Sequence, residues 1–427
     1  MQRRLLLLLI LTISFLLLAG SFLFHHPSYT PLPVQKFTGL TQHHAPSESP
    51  SSNLHFTNTP EAAPLNSNPS SDAISITITE TGGSHDEVVA ALVHSFGSHP
   101  RSSLSLYQLL PRYKITEIIA AFSLPRPAPA PKQPQAFIDA FAANQPEAKP
   151  QIFVAATCEL DVVRLAGQLG SLLADGKTWL FCVVHHSDRW ASDAGHGLEG
   201  AITSWVEAGR ITFITLSPHT AEYLSKSIGT WATPSKTSVD IRSLAPLFPV
   251  ELPAMPGPEE KEELAFGLQG DYDPARRDYG RIFQQLKDFI AGGGNVIMHL
   301  LGHGAHPQVP PEITKNVVFD ERLAYGEFYG IISKGFALLP AFASKEYLDR
   351  KASSSVPAAL IGGVPLVATK EIVKAYSYID ESVVWMQNEG EGDLELVGRI
   401  LKMNPSERRK KKELVRAKWL SNGLRKR

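Results

Sequence analysis

The sequence predicts an α/β protein: two parallel-sheet domains facing a cleft, behind an N-terminal membrane-spanning segment and a disordered stem. Three observations carry this. Short apolar or β-branched runs alternate with stretches of helical periodicity from residue 73 to residue 403, which is how strands joined by helical crossovers read in sequence. A proline- and acid-rich segment, residues 246–263, interrupts that alternation near its middle and reads as an interdomain linker. At the N-terminus, Arg3 and Arg4 precede residues 5–24, which carry no charge. A helix of about twenty residues spans roughly 30 Å, the thickness of a bilayer core.

Size and charge bound the class. A chain of 427 residues accommodates two domains with accessories. Its 41 basic and 42 acidic side chains nearly cancel, so no basic domain of the nucleic-acid-binding kind is indicated. Two cysteines, Cys158 and Cys182, exclude a disulfide framework. They read either as buried small hydrophobes or as one lumenal disulfide, and the usual burial of free cysteine favours the first.

Taken in order, residues 1–4 are a cytosolic tail and 5–24 a signal anchor. A cleaved signal peptide competes, with Ala19-Gly20-Ser21 as small residues, but the apolar run continues to Phe24 and exceeds the usual hydrophobic region. Basic residues before the span and none closely after it place the bulk of the chain in the lumen of the endoplasmic reticulum or Golgi, as a single-pass type II protein. Residues 25–72, rich in Pro, Ser, Thr and Asn, form the stem. The first domain, 73–250, opens with an alternating strand at 73–79, a glycine loop at Gly82 and Gly83, and a helix over 85–96. Strands follow at 104–110, 152–157, 179–185 and 211–216, with 115–122 a strand or short helix. Helices are expected over 160–173 and 198–206, and residues 123–135 are a proline-rich loop.

The second domain, 263–405, begins with a strand at 264–269 and a helix over 276–290. Strands at 295–301 and 316–319 and a helix over 324–333 lead to its organising unit. There an apolar strand, 336–342, is followed by a polar loop and three serines, with Ser354 or Ser355 as the cap of a helix that takes Pro357 in its first turn. Gly362 and Gly363 end that helix before a strand at 366–368. Free N–H groups at such a helix start suit phosphate. A strand at 382–386 and a helix over 394–403 close the domain, and residues 406–427 form a basic terminal helix that is solvated or crosses back to the first domain.

The string Gly363-Val364-Pro365-Leu366-Val367-Ala368 closely matches the Gly-x-Pro-Val-Val-Ala that ends the donor-binding segment of group 1 GT-B glycosyltransferases, and the whole unit resembles that segment. Residues 264–385 also resemble predicted fungal membrane glycosyltransferases. One departure stands out. The family's paired glutamates, E-x7-E, fall on Arg350 and Ala358, so the ribose-binding carboxylate is missing; hydroxyls of Ser353, Ser354 and Ser355 could stand in for it.

The resemblance implies a GT-B fold: two Rossmann-like domains facing a cleft, acceptor on the first, nucleotide-sugar donor on the second. It implies sugar transfer to a glycan, protein or lipid, with no cofactor and no metal, because helix dipoles and basic side chains neutralise the departing diphosphate. In that scheme Arg276, Arg277 and Lys351 meet the diphosphate, and Gly302 and His303 line the donor side with Ser353–Ser355. The Gly82-Gly83 loop faces the acceptor. His185, His186 and Asp188 end a first-domain strand and supply catalytic groups, a histidine beside a carboxylate being a candidate base. Asp271-Tyr272-Asp273 is also a D-x-D triplet, which another glycosyltransferase class uses to hold Mn²⁺. Its position before Pro274 fits a turn and cap better. The missing glutamate pair keeps a second reading open, a non-catalytic relative that binds glycans or scaffolds other transferases.

Overall fold

The computed structural model describes residues 73–232, 239–255, 257 and 264–424. The expected cytosolic tail, anchor and stem, and part of the linker, lie outside the described residues. Among those described, no helix is long and apolar enough to cross a membrane.

The first half builds β1 (Ile74–Glu80), α1 (Asp86–Gly97), β2 (Ser102–Gln108), α2 (Ile115–Ala120), α3 (Pro134–Ala142), β3 (Ile152–Ala155), α4 (Cys158–Arg164), α5 (Ala166–Asp175), β4 (Trp179–Val184), α6 (Leu198–Glu207), β5 (Ile211–Thr215), α7 (Pro218–Ile228) and β6 (Asp240–Ser243). Its six strands run β2-β1-β3-β4-β5-β6, all neighbours parallel. The second half builds β7 (Ala265–Gln269), α8 (Tyr279–Ala291), β8 (Ile297–Gly302), β9 (Val317–Glu321), α9 (Tyr325–Lys334), β10 (Ala337–Leu339), α10 (Glu346–Asp349), α11 (Ser355–Ile361), β11 (Leu366–Ala368), α12 (Lys370–Ala375), β12 (Val384–Met386), α13 (Asp393–Leu401) and α14 (Pro405–Leu424). Its order is β12-β11-β10-β7-β8-β9, also parallel.

Burial explains why these short runs are strands. β5 and β7 are buried at every position, as expected where helices cover both faces of a sheet. Parallel order then fixes where ligands can go. Counted along its own strands, the second sheet has the doubly wound order 3-2-1-4-5-6. The strand order reverses between β7 and β10 there, and between β1 and β3 in the first sheet. Crevices open outside the strand ends at such points. One apolar cluster joins the halves, from Val89 and Leu92 on α1 through Phe248 to Tyr329 and Ile332 on α9. Phe248 meets Phe122 at 6.4 Å and Tyr329 at 6.0 Å between ring centroids.

Several local expectations are corrected. The apolar run 336–342 yields only a three-residue strand, because Pro340 has no N–H for the ladder and Ala341 takes a φ of 43° that leaves the sheet. Residues 160–173 form two helices that break at Leu165 rather than one. Helices α3 and α7 and the edge strand β6 were not expected at all. The terminal helix α14 is docked rather than solvated: Arg408 and Lys412 are buried, Lys411 Nζ donates to the Glu381 carbonyl at 2.7 Å, and Arg416 reaches the Pro253 carbonyl of the linker at 3.2 Å. Finally, Cys158 and Cys182 form a disulfide, with Cα atoms 5.1 Å apart, so the favoured reading of two free thiols is wrong. Register explains it: Ala155 pairs with Cys182 across β3 and β4, and the chain turns into α4 immediately after β3.

Candidate functional site at the facing strand ends

On the first sheet the site starts at Glu80, the fully buried last residue of β1. Its carboxylate accepts the N–H groups of Gly82 at 2.8 Å, Gly83 at 3.0 Å and Ser84 at 3.3 Å. Gly83 sits at φ +69°, where a side chain would be strained. The glycine loop therefore curls around an anion supplied by its own chain, and those N–H groups are not offered to a ligand. Beneath it Asp161 accepts from the Thr81 N–H, the Thr81 hydroxyl and the Thr157 N–H at 2.9, 2.6 and 2.9 Å. Burial pushes the Asp161 carboxyl up to about 7 and raises that of Glu80.

The loop leads into His85, Asp86 and Glu87 at the start of α1, where the Asp86 carboxylate accepts from the Gln108 amide at 2.6 Å and the Arg112 N–H at 3.1 Å. His85 precedes α1 at φ +67°, a conformation unusual for a residue with a Cβ. Its ring stacks on His185 at 3.7 Å, and burial, then the neighbouring His185, holds its pKa well below the ordinary value. The imidazole is thus neutral at pH 7. His185 Nε2 lies 2.8 Å from the Ala156 carbonyl, which makes Nε2 the donor and fixes that ring's tautomer. Asp86 is pushed to about 6 and Glu87 to about 7, both mainly by burial, with the charge of Asp271 in the second domain adding to the rise of Glu87.

His185 and His186 are brought together by Glu159, whose Oε1 accepts both of their N–H groups at 2.8 Å. Burial, then Arg189, lowers the His186 pKa to about 4. The expected histidine–aspartate pairing does not form. Asp188 faces the second domain instead, its Oδ2 3.7 Å from Arg350 Nε.

On the second sheet the two adjacent arginines differ. Arg276 is half exposed and pairs with Asp271 at 2.9 Å and Asp273 at 3.5 Å. Arg277 is 3 % exposed. It donates to the Gln269 carbonyl at 3.0 Å, the Arg276 carbonyl at 3.1 Å and Ser355 Oγ at 2.9 Å, and lies against the rings of Phe342 and Tyr347. Among the described residues no carboxylate pairs with it, and burial lowers its pKa. This is a buried cation held at the β7–β10 switch point by neutral groups. Gly270 permits it: at φ +137°, an added Cβ would stand 2.8 Å from Arg277 Nη2.

The D-x-D carboxylates are engaged otherwise. Asp271 also holds His303 Nδ1 at 2.9 Å, and Asp273 accepts the Ala275 N–H at 2.8 Å, a turn-closing bond. Among the described residues no group of three or more possible ligands is placed to hold a metal. Gly302 packs so closely on the Gly270 carbonyl that a Cβ would collide with it. The expected caps form only in part. Ser354 precedes α11 without a capping bond from its own side chain. The hydroxyls of Ser354 and Ser355 turn to the Gln269 side chain at 3.1 and 2.9 Å, and Ser353 Oγ takes the Ser355 N–H at 3.3 Å. Lys351 is no free cation either: Nζ pairs with Glu346 at 2.7 Å, its backbone bridges His186, and its carbonyl faces His219 Nε2 at 3.1 Å. Ala358, on the family's glutamate position, is packed in the core.

Glu80, His85, Glu87, Glu159, Asp161 and His219 escaped the sequence reading. For His85 and Glu87 a signal existed, since ionisable residues opening the helix after a strand and glycine loop project to the strand-end crevice. Glu159 and His219 carry no such local mark.

No protein-family model and no curated protein matches the sequence. Solved structures do match in fold. One is the Anabaena protein HepE in complex with UDP-glucose, with a TM-score of 0.52 and 12% identity over 82% of this chain and 94% of its own. Another is an alpha-glucosyltransferase in complex with UDP and DNA, with a TM-score of 0.55 and 12% identity over 80% and 93%. At that identity the likeness shows the fold, and the fold of this chain is the two-sheet GT-B arrangement of those proteins.

Proposed function

We propose that this protein is a metal-independent glycosyltransferase that moves a sugar from a nucleotide-sugar donor to a glycan, protein or lipid acceptor. The observation that carries the reading is Arg277. A buried guanidinium with no carboxylate partner is costly unless an anion meets it, and this one sits where a doubly wound sheet binds ligands. The donor diphosphate would lie between Arg277, the start of α11 and Arg276 released from Asp271. Those cations would stabilise the charge that grows on the leaving diphosphate, the work a metal does elsewhere. Gly302, His303 and Ser353–Ser355 would shape the rest of the donor side. On the facing side the neutral His85 imidazole, stacked on His185, is placed to accept the proton of an acceptor hydroxyl. Leu109 and Leu110, 38% and 52% exposed beside Gly83, form an apolar rim suited to an acceptor with an apolar part.

The Cys158–Cys182 disulfide supports an oxidising compartment, and with the apolar run at 5–24 it supports a lumenal enzyme on a Golgi or endoplasmic reticulum membrane.

Calorimetry with UDP-glucose and UDP tests the reading. Wild type should bind in EDTA, and Arg277→Ala should weaken binding about tenfold to a hundredfold, the loss of a charge-assisted pair of roughly 1.5–3 kcal/mol. Binding abolished by EDTA and by Asp271→Ala but indifferent to Arg277 would move the site to the D-x-D triplet. Ala358, in place of the family's glutamate, favours the second reading, a non-catalytic glycan-binding or scaffold protein; no binding of any nucleotide-sugar would select it.

A further inference from the structure

His219, in the first turn of α7, reaches across the seam between the halves. Its Nδ1 lies 2.9 Å from the Ala375 carbonyl and its Nε2 3.1 Å from the Lys351 carbonyl, both in the second half. A carbonyl oxygen only accepts. Neutral imidazole has one N–H and one lone pair, so it satisfies one of these oxygens and turns a lone pair to the other. The charged imidazolium donates to both. Ala375 ends α12, where carbonyls lack a partner within the helix and the helix dipole is negative. The positive end of α7 opposes a charge on His219, and two carbonyls in direct contact outweigh it.

The charged side chains of the surrounding elements nearly balance. Arg350 pairs with Glu346 and approaches Asp188, Lys351 pairs with Glu346, and Arg242 with Asp240. Arg189, Lys226, Lys370 and Lys374 stand against Glu222, Asp349 and Glu371. Burial lowers the His186 pKa to about 4, so that ring stays neutral. The phenols of Tyr223 and Tyr376 are uncharged at neutral and mildly acidic pH. The two carbonyls are left to decide. The same ring also braces the donor side. It meets Tyr376 edge-on at 4.8 Å; the Tyr376 hydroxyl takes the Ser353 N–H at 2.9 Å and donates to the Tyr347 carbonyl at 2.7 Å; and the Tyr347 ring lies against Arg277.

We infer that His219 is a positioning residue worked by a proton: as imidazolium it ties residues 351–353 to the first half, so that nucleotide-sugar binds more tightly at acidic than at neutral pH. The joined arrangement makes one more hydrogen bond with the charged ring than with the neutral one, so it binds the proton more tightly. The added hold is present at low pH and lost as pH rises through the imidazole range. The inference rests on the glycosyltransferase reading for its ligand, and the brace itself does not need that reading.

Hydrogen exchange of the full chain, read at residues 351–357 without nucleotide, tests it together with calorimetry using UDP-glucose, each at about pH 5.5 and about pH 7.5. UDP-glucose is chosen because its diphosphate is esterified at both ends and keeps its charge across that interval. Relative to intrinsic exchange rates, wild type should protect these amides about fivefold more than His219→Gln does at the lower pH, the worth of one hydrogen bond, and about equally at the higher. Wild-type affinity for UDP-glucose should rise by a similar factor on acidification. His219→Gln should stay flat, and His196→Ala, on an exposed loop, should follow wild type. A wild type with no gain in protection or affinity at the lower pH overturns the inference, whether or not the variant folds. So does a pH slope that His219→Gln retains. UDP-glucose binding that needs Arg277 but ignores pH and His219 sinks the brace and leaves the transferase reading. An exchange difference without any nucleotide-sugar binding supports the proton-worked contact and sinks the transferase reading, so the two fail separately.

Discussion

Glu80 does for the β1–α1 loop what a bound anion does in many glycine loops. Replacing it by alanine leaves three buried or half-buried N–H groups without their acceptor, and Glu80→Ala should lose about 1–3 kcal/mol in urea denaturation. A loss under 0.5 kcal/mol, about the spread of ordinary surface changes, would mean the loop holds itself. The buried ionisable groups around it also set a pH signature. Asp161 has its pKa raised from 3.8 to about 7, so the native state binds the extra proton and stability from this group falls as pH rises across that interval. His186 is lowered from 6.5 to about 4, so the unfolded state binds the extra proton and stability from this group falls as pH drops across that interval. The two slopes oppose each other. Denaturation between pH 4 and pH 8, compared with Asp161→Asn and His186→Asn, should show wild type gaining on the first variant at low pH and on the second at high pH. Parallel curves would refute both assignments.

Among elements, the helix start on α7 has the most consequence for the cleft. His219 places Nδ1 2.9 Å from the Ala375 carbonyl at the end of α12 and Nε2 3.1 Å from the Lys351 carbonyl, and its ring meets Tyr376 edge-on at 4.8 Å. One first-domain side chain thus lies against two second-domain peptides, and its single N–H in the neutral form donates to one of the two carbonyls. His219→Ala should loosen the closed arrangement, seen as a larger radius of gyration in small-angle scattering and as a several-fold loss in UDP-glucose affinity. His196→Ala, on an exposed loop, is the control. Equal scattering from both variants would show that the apolar contacts around Phe248 hold the halves unaided.

At the scale of the molecule, the proposed lumenal transferase draws its support from the two parallel sheets, the one disulfide and the uncharged run at 5–24. The anchor is directly testable. The intact protein should resist carbonate extraction, and protease added to sealed microsomes should spare the bulk of the chain. A soluble product with a new N-terminus near Ser21 would show a cleaved signal instead. The Cys158–Cys182 bond closes a loop between α4 and β4 just below the Glu80 cluster. Cys158→Ala with Cys182→Ala should cost about 2–4 kcal/mol by the loop-entropy account, read as a lower denaturation midpoint against wild type in the absence of reductant.

Sequence alone determined the parallel α/β alternation, the change of sheet between Ser243 and Ala265 and the Gly363–Ala368 unit. Each is a local matter, since burial periodicity, turn chemistry and a helix's end are written in adjacent residues. Tertiary structure alone decided which of the adjacent Arg276 and Arg277 is buried, that Glu80 fills the glycine loop, that Asp188 turns to Arg350 rather than to a histidine, and that Cys158 meets Cys182. Those outcomes depend on which residues from distant segments arrive at the same strand end. Strand order and register set that meeting, and nothing in a run of neighbouring residues encodes it.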